Sequence, residues 1–203
     1  MKKLYLMRHG QTRFNLRKKV QGASDSPLTQ LGIAQARHAG AFLAKQGMVF
    51  DGFYTSTQER ACDSMAYAFP GQDYTRLKGI KEWDFGYFEG ENVQLMPKMH
   101  IEDPNFNDFF VPYDGESIVD LRSRMRESLT EVMEMHDCVF AVSHGEAMNV
   151  FTHLWVPYGT LPAHPYSNCT IGVFEYHDGV FHFVERLNPL EDFEEGNDGI
   201  KKA

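Results

Sequence analysis

Two hydrophobic rhythms alternate along this chain: short continuous apolar runs, and longer stretches with apolar residues at helical spacing. Residues 4–7 form an apolar run that stops abruptly at Arg8-His9-Gly10, the pattern of a buried strand. Residues 11–27 are polar and rich in turn formers, so they read as a loop. Thr29 has the character of a helix N-cap, and the helix it starts is expected to run to about Gln46. Gly32, Ala34, Ala36, Ala39 and Gly40 make that helix suited to close packing, and Gly47 ends it. Residues 49–55 predict a second strand. Ser56-Thr57-Gln58-Glu59 then has capping-box spacing, which predicts a helix carrying Arg60 in its first turn. Ile118, Leu121, Met125, Leu129, Val132 and Met135 mark a long amphipathic helix over about 117–135. Residues 138–143 give the clearest buried strand, followed by His144-Gly145 and a helix from near Glu146. Residues 170–176 and 180–186 flank Asp178-Gly179, a two-residue hairpin signal.

Strands alternating with helices predict an α/β fold: a three-layer sandwich with a mainly parallel central sheet and an antiparallel edge. The segment 79–115 breaks the rhythm. It places Trp83, Phe85, Tyr87, Phe88, Phe106, Phe109, Phe110 and Tyr113 among prolines and acidic residues. It reads as an insertion lying over the sheet's carboxyl edge. From Leu190 to the end (190–203) the chain is acidic and glycine-containing, and is expected to fray. The 203 residues are expected to form a single domain, burying roughly 70% of the surface that the unfolded chain exposes.

Composition narrows the function. A hydrophobic fraction of 42% and a charged fraction of 24% are those of a soluble globular protein. A net charge of −8 argues against nucleic acid as a partner, because backbone affinity needs clustered Lys and Arg. It leaves room for a local basic pocket and a small anionic substrate. Cys62, Cys138 and Cys169 lack metal-ligand spacing and are odd in number, which fits reduced thiols in the cytoplasm. The apolar start is interrupted after four residues by Arg8-His9-Gly10, too soon for a signal peptide, and no stretch reaches the length of a membrane span. Oligomeric state is not legible.

In open α/β sheets ligands bind outside the carboxyl ends of the strands. Three predicted strand ends deliver Arg8-His9-Gly10, Arg60 and Ser143-His144-Gly145 to one edge. Two guanidinium forks and imidazole donors match the oxygens of a phosphate, and a glycine after each histidine (Gly10, Gly145) permits close backbone approach. Metal binding is the rival reading of paired histidines. No carboxylate sits at ligand spacing beside either, and two arginines would repel a cation, so neither metal nor cofactor is expected. A cysteine-based phosphatase is excluded, since no short phosphate loop follows any of the three cysteines.

Taken together, these blocks resemble the histidine phosphatase superfamily in its phosphoglycerate-mutase-like branch. Leu6-Met7-Arg8-His9-Gly10-Gln11-Thr12 with Asn15 is similar to that family's signature. Asp25-Ser26-Pro27-Leu28-Thr29 with Gly32, Gln35 and Ala36, then Ser56, Arg60 and Ala61, match its next blocks. Glu82, Phe85, Gly86, Glu89 and Gly90 match its acid loop, Gly115-Glu116-Ser117 with Asp120 a late helix start, and Ser143-His144-Gly145 its second histidine. The chain departs from the pattern at Thr57, where the family often has proline, and at Cys62-Asp63-Ser64, where small or hydroxyl residues are usual. The resemblance implies that His9 is a nucleophile forming a phosphohistidine, with Arg8, Arg60 and His144 neutralising the phosphoryl oxygens. It implies Asn15, Gln21 and backbone N–H groups near Gly22 as the rest of the cradle, with Gly145 beside it. Glu82 becomes the proton donor, with Asp84 and Glu89 as rivals on the same loop. The aromatic residues of 79–115 either form that segment's own core or line the substrate's non-phosphate half.

The implied activity is metal-independent hydrolysis of a small phosphorylated metabolite. The alternative is a cofactor-dependent phosphoglycerate mutase using the same pocket. Mutases of this type tend to be longer and carry Arg-His-Tyr-Gly after the acid, where this chain has Trp83-Asp84-Phe85-Gly86. A binding module that only senses phosphate would be expected to lack His9 or the acid.

Overall fold

The structure, a computed structural model, describes residues 1–97, 108–162 and 164–194. Six strands form one sheet in the order β3-β2-β4-β1-β5-β6, with β1 as Lys2–Arg8, β2 as Gly52–Ser56, β3 as Thr75–Leu77, β4 as Cys138–Ser143, β5 as Ile171–His177 and β6 as Val180–Leu187. The first four in that order run parallel, while β5 pairs antiparallel with β1 and β6 antiparallel with β5. This is the mainly parallel sheet with an antiparallel edge that the sequence predicts.

Continuous apolar runs arise because β1 and β4 are buried on both faces. Leu4 and Leu6 point to one side with Val139 and Ala141. Tyr5 and Met7 point to the other with Phe140 and Val142. On the first face lie α4 (Ile118–Met135) and α5 (Gly145–Thr152), contributing Leu121, Met125, Leu129, Met148 and Phe151. On the second face lie α2 (Gln30–Lys45) and α3 (Glu59–Ala68), contributing Ala36, Ala39, Leu43, Ala61 and Met65. Three layers result. The small residues of α2 have the expected use: a Cβ on Gly40 would collide with the Ala68 carbonyl at the end of α3.

Several boundaries follow the expected chemistry. Thr29 caps α2 by accepting from Gly32 N, and Ser117 caps α4 by accepting from Asp120 N. Asp178 and Gly179 both have positive φ, 50° and 80°, as a type I′ hairpin requires. Other expectations need correction. The predicted capping box at Ser56-Thr57-Gln58-Glu59 does not form. Ser56 instead ends β2 with its hydroxyl turned to His144, and Gln58 is the N-cap of α3 without a side-chain cap bond. The second strand starts at Gly52 rather than 49, leaving Val49 exposed. The supposed loop 11–27 contains a short helix α1, Arg13–Leu16, closed by reciprocal bonds between Thr12 and Asn15.

Among the described residues, the connection between β3 and α4 holds 3-10 turns at Lys78–Ile80, Gly86–Phe88, Val93–Leu95 and Val111–Tyr113. Trp83, Phe85, Phe88, Phe109, Phe110 and Tyr113 pack on one another there, with Trp83–Phe110 and Phe85–Phe110 centroids 5.2 and 5.1 Å apart. Phe106 lies outside the described residues. Leu190 packs against the second core cluster and Phe193 against His38, while 195–203 lie outside the described residues. No helix among the described residues is long and apolar enough to cross a membrane.

Candidate active site

The strand register brings the two histidines together. Arg8 lies level with Ser143, and His9 N donates to Ser143 O at 3.1 Å. His9 and His144 therefore leave neighbouring strand ends side by side, ring centroids 5.2 Å apart. A cavity of about 780 Å³ opens there, with Arg8, His9, Gly145 and Glu82 in its wall.

His9 is buried, and its Nδ1 lies 2.7 Å from the Gly10 carbonyl. A carbonyl only accepts, so Nδ1 carries the proton and the Nε2 lone pair is free. Burial first, then the charges of Arg60 and Arg8, hold the His9 pKa well below its ordinary value, so the ring stays neutral. Gly10 is fixed in turn: its N–H donates to Ser64 Oγ at 2.9 Å, and a Cβ would strike the Gly32 carbonyl on α2. Ser64 thus fixes the turn that follows His9. Asn168 Nδ2 holds the His9 carbonyl at 3.0 Å.

Arg8 donates through Nη1 to the Tyr166 carbonyl at 2.6 Å, while its buried Nε has no partner among the described residues. The guanidinium lies against Gly145, where a Cβ would stand 3.2 Å from both Cζ and Nε. Glycine at 145 makes room for the arginine.

Arg60 and His144 are fully buried, and neither is among the residues of the cavity wall. Arg60 donates to Gly22 O, Ser24 O and Asp25 Oδ1, and through Nε to His144 Nδ1 at 3.1 Å. The Gln21 amide, turned so that its NH2 donates to Thr12 and Ser26, brings its oxygen to Arg60 Nε at 2.7 Å. His144 Nε2 meets Ser56 Oγ at 2.6 Å. Burial, then Arg60 and His9, hold the His144 pKa well below its ordinary value. Asn15 and Gln21 line the cavity. Gly22 is set behind it: its carbonyl takes Gln58 and Arg60, and a Cβ would meet the Trp83 carbonyl.

The three acid-loop carboxylates separate by their partners. Glu82 lies in the cavity wall at the start of α5, its Oε1 accepting from Ala147 N at 2.7 Å and Trp83 N at 2.9 Å. Burial, and next the charge of Glu146, raise its pKa against those N–H groups and Arg60. Glu89 accepts from Ala23 N, Ser24 N and Phe85 N, and Asp84 from Gly86 N. Neither is in the wall. Arg124 on α4 pins the loop, donating to the carbonyls of Gly79, Lys81 and Glu82 and to both oxygens of Glu116.

Trp83, Phe85 and Phe110 pack on one another, and the same three rings line the cavity. Sequence reasoning missed Tyr166, Asn168, Ser56, Ser64 and Arg124, which act through carbonyls or distant hydroxyls. It also missed Glu146, His153 and His164 in the outer wall. Glu146 had a usable signal, since it directly follows His144-Gly145 in the first turn of a helix. No group of three or more metal-ligating side chains occurs among the described residues.

Comparison with known proteins agrees with this geometry. A profile of the histidine phosphatase superfamily (branch 1) matches residues 4–189. The chain is 38% identical over 97 residues to the 2,3-bisphosphoglycerate-dependent phosphoglycerate mutase 2 of Latilactobacillus sakei, a match covering 45% of this chain and 42% of that protein. The fold superposes on a phosphoglycerate mutase from Bacillus anthracis with a TM-score of 0.78 at 21% identity, covering 90% of this chain and 91% of that one. A phosphoserine phosphatase from Entamoeba histolytica, solved with phosphoserine, gives 0.71 at 25% identity, covering 93% and 98%. With a buried histidine at the end of β1, a second beside it and an acid facing them, the chain belongs to the histidine phosphatase superfamily and is an enzyme of that class.

Proposed function

We propose that this chain is a metal-independent phosphomonoester hydrolase acting on a small phosphorylated metabolite through a phosphohistidine at His9. The observation that supports the reading is the Nδ1–H of His9 held on the Gly10 carbonyl, which leaves the Nε2 lone pair free on a residue lining the same cavity as Arg8 and Glu82, a carboxyl of raised pKa. Nε2 attacks phosphorus as the P–O bond to the alcohol breaks, and Glu82 gives its proton to the departing oxygen. Glu82 then takes a proton from water, whose oxygen displaces the P–N bond and releases phosphate. The free Arg8 Nε donates to a phosphoryl oxygen, Asn15 contributes its side-chain amide, Gln21 in the wall holds Arg60 in place, and Arg60, braced by His144, adds positive potential from behind the wall. Three unpaired cysteines support a cytoplasmic setting.

The mutase reading draws on the names of relatives such as the Latilactobacillus sakei protein. A mutase returns the phosphoryl group to a bound intermediate, whereas a hydrolase releases it as phosphate. Rapid quench with phenyl phosphate, kept out of acid, should trap an acid-labile phosphoprotein, and His9→Ala should trap none and lose essentially all turnover. Phosphate release should persist after exhaustive EDTA treatment. Interconversion of 3-phosphoglycerate faster than phosphate release would decide for the mutase, and a fully active His9→Ala protein would sink both.

A further inference from the structure

The cavity extends well beyond the space one phosphoryl group needs, and its outer walls differ in character. One is apolar, built by Val93, Met96, Pro97 and Phe110 from the connection between β3 and α4. The polar part of the outer lining includes Lys19, His153, His164 and the carboxylate of Glu146. Its position is fixed from two sides, by His164 Nδ1 at 2.9 Å from Oε1 and Asn149 Nδ2 at 3.3 Å from Oε2, with the Glu146 side chain 29% exposed. The backbone N–H of Glu146 also donates to Glu82 Oε2 at 3.2 Å. An alcohol oxygen that receives the Glu82 proton would thus sit near the first turn of α5, where Glu146 lines the cavity.

We propose that Glu146 determines substrate choice: it accepts a hydrogen bond from a hydroxyl on the carbons next to the ester and rejects a carboxylate or second phosphate there, so that the substrate is a phosphomonoester of a hydroxylated alcohol whose apolar remainder lies against Val93, Met96, Pro97 and Phe110. This rests on the hydrolase reading above. A held carboxylate is half of a donor–acceptor pair for O–H, and a repelling neighbour for a second anion brought into the same partly desolvated space. Discrimination by a hydrogen-bonding or like-charged group exceeds what an apolar wall alone supplies.

Glycerol 3-phosphate and 3-phosphoglycerate test the idea, because they share a carbon skeleton and differ in a hydroxymethyl against a carboxylate. The wild-type chain should favour glycerol 3-phosphate in kcat/KM by about tenfold or more. Glu146→Gln should bring the ratio to within about threefold, and Glu146→Asp should keep the preference. Each ratio is read within one variant, so changes common to both substrates cancel, and phosphohistidine trapping with phenyl phosphate reports an intact pocket. A butyl ether on the far hydroxyl of glycerol 3-phosphate should lower KM. A wild-type ratio near one, a preference that survives Glu146→Gln, or a KM indifferent to the butyl group overturns the assignment. If phenyl phosphate is hydrolysed without such preferences, only this inference fails; mutase turnover of 3-phosphoglycerate would overturn the hydrolase reading with it.

Discussion

Glu82 takes hydrogen bonds from backbone N–H groups that favour its charged form, yet burial and the nearby Glu146 push its carboxyl above the ordinary range. It thus keeps a proton to a higher pH than a solvated glutamate. His9 is shifted the other way, its imidazole kept neutral. Turnover should fall as pH drops through the depressed His9 pKa, where the nucleophile is lost. It should fall again as pH rises through the raised Glu82 pKa, where the acid is lost, giving a bell-shaped profile. Glu82→Gln should lose about 10²–10⁴-fold with alkyl phosphates and distinctly less with p-nitrophenyl phosphate, compared by single-turnover rates. The alkaline limb of the phosphorylation step should vanish in that variant. If Asp84→Asn or Glu89→Gln shows the leaving-group bias instead, the acid is misplaced. The place of His9 at the end of β1 was legible because a continuous apolar run stops there, whereas Glu82, beyond a 3-10 turn, stood out only through the family resemblance. Tyr166 was not legible, because Arg8 uses its backbone carbonyl, and any residue type supplies one.

At the scale of elements, α4 does more than cover the sheet. Arg124 gathers three carbonyls and a carboxylate from the segment that carries Glu82, and holds it against the helix. Arg124→Gln removes a charge-assisted fork from a site where its Glu116 partner is only 18% exposed, so about 2–3 kcal/mol of stability should go, read as a lower denaturant midpoint. Alkyl phosphate turnover should drop more than p-nitrophenyl phosphate turnover, because the acid is what is displaced; equal losses would mean the fork is merely structural. The amphipathic period of α4 and the apolar runs of β1 and β4 were readable because burial on known faces imposes them. The start of α3 was misread for a physical reason. A capping box is a local bond pattern, and Ser56 had a tertiary partner in His144 that outcompeted it. The short strand β3 escaped notice because its three residues are exposed or half-buried and carry no apolar pattern.

Over the whole molecule, two buried neutral histidines make acid a denaturant. Both His9 and His144 have folded pKa values below the unfolded value of about 6.5. The unfolded chain then binds more protons, so their contribution is complete above that value and is lost as pH falls toward the folded pKa. Each should cost about 1.4 kcal/mol per pH unit in that window. Chemical denaturation at stepped pH should show this slope, and His9→Asn should shrink it; an unchanged slope would mean the histidines are charged in the folded state. The three-layer sheet was legible because the order of elements left few topologies open, while the outer cavity wall was not, since it is assembled from segments far apart in sequence. That assembly has a consequence in time. β1 lies between β4 and β5, and Arg8 is fastened by Tyr166 and Thr170 just ahead of β5. On the ribosome His9 is made well before His144 and before β5, the strand that flanks β1 in the sheet. The pocket around His9 therefore stays open in the nascent chain until β5 has emerged and paired with β1, and any activity proposed for His9 has to wait for that pairing.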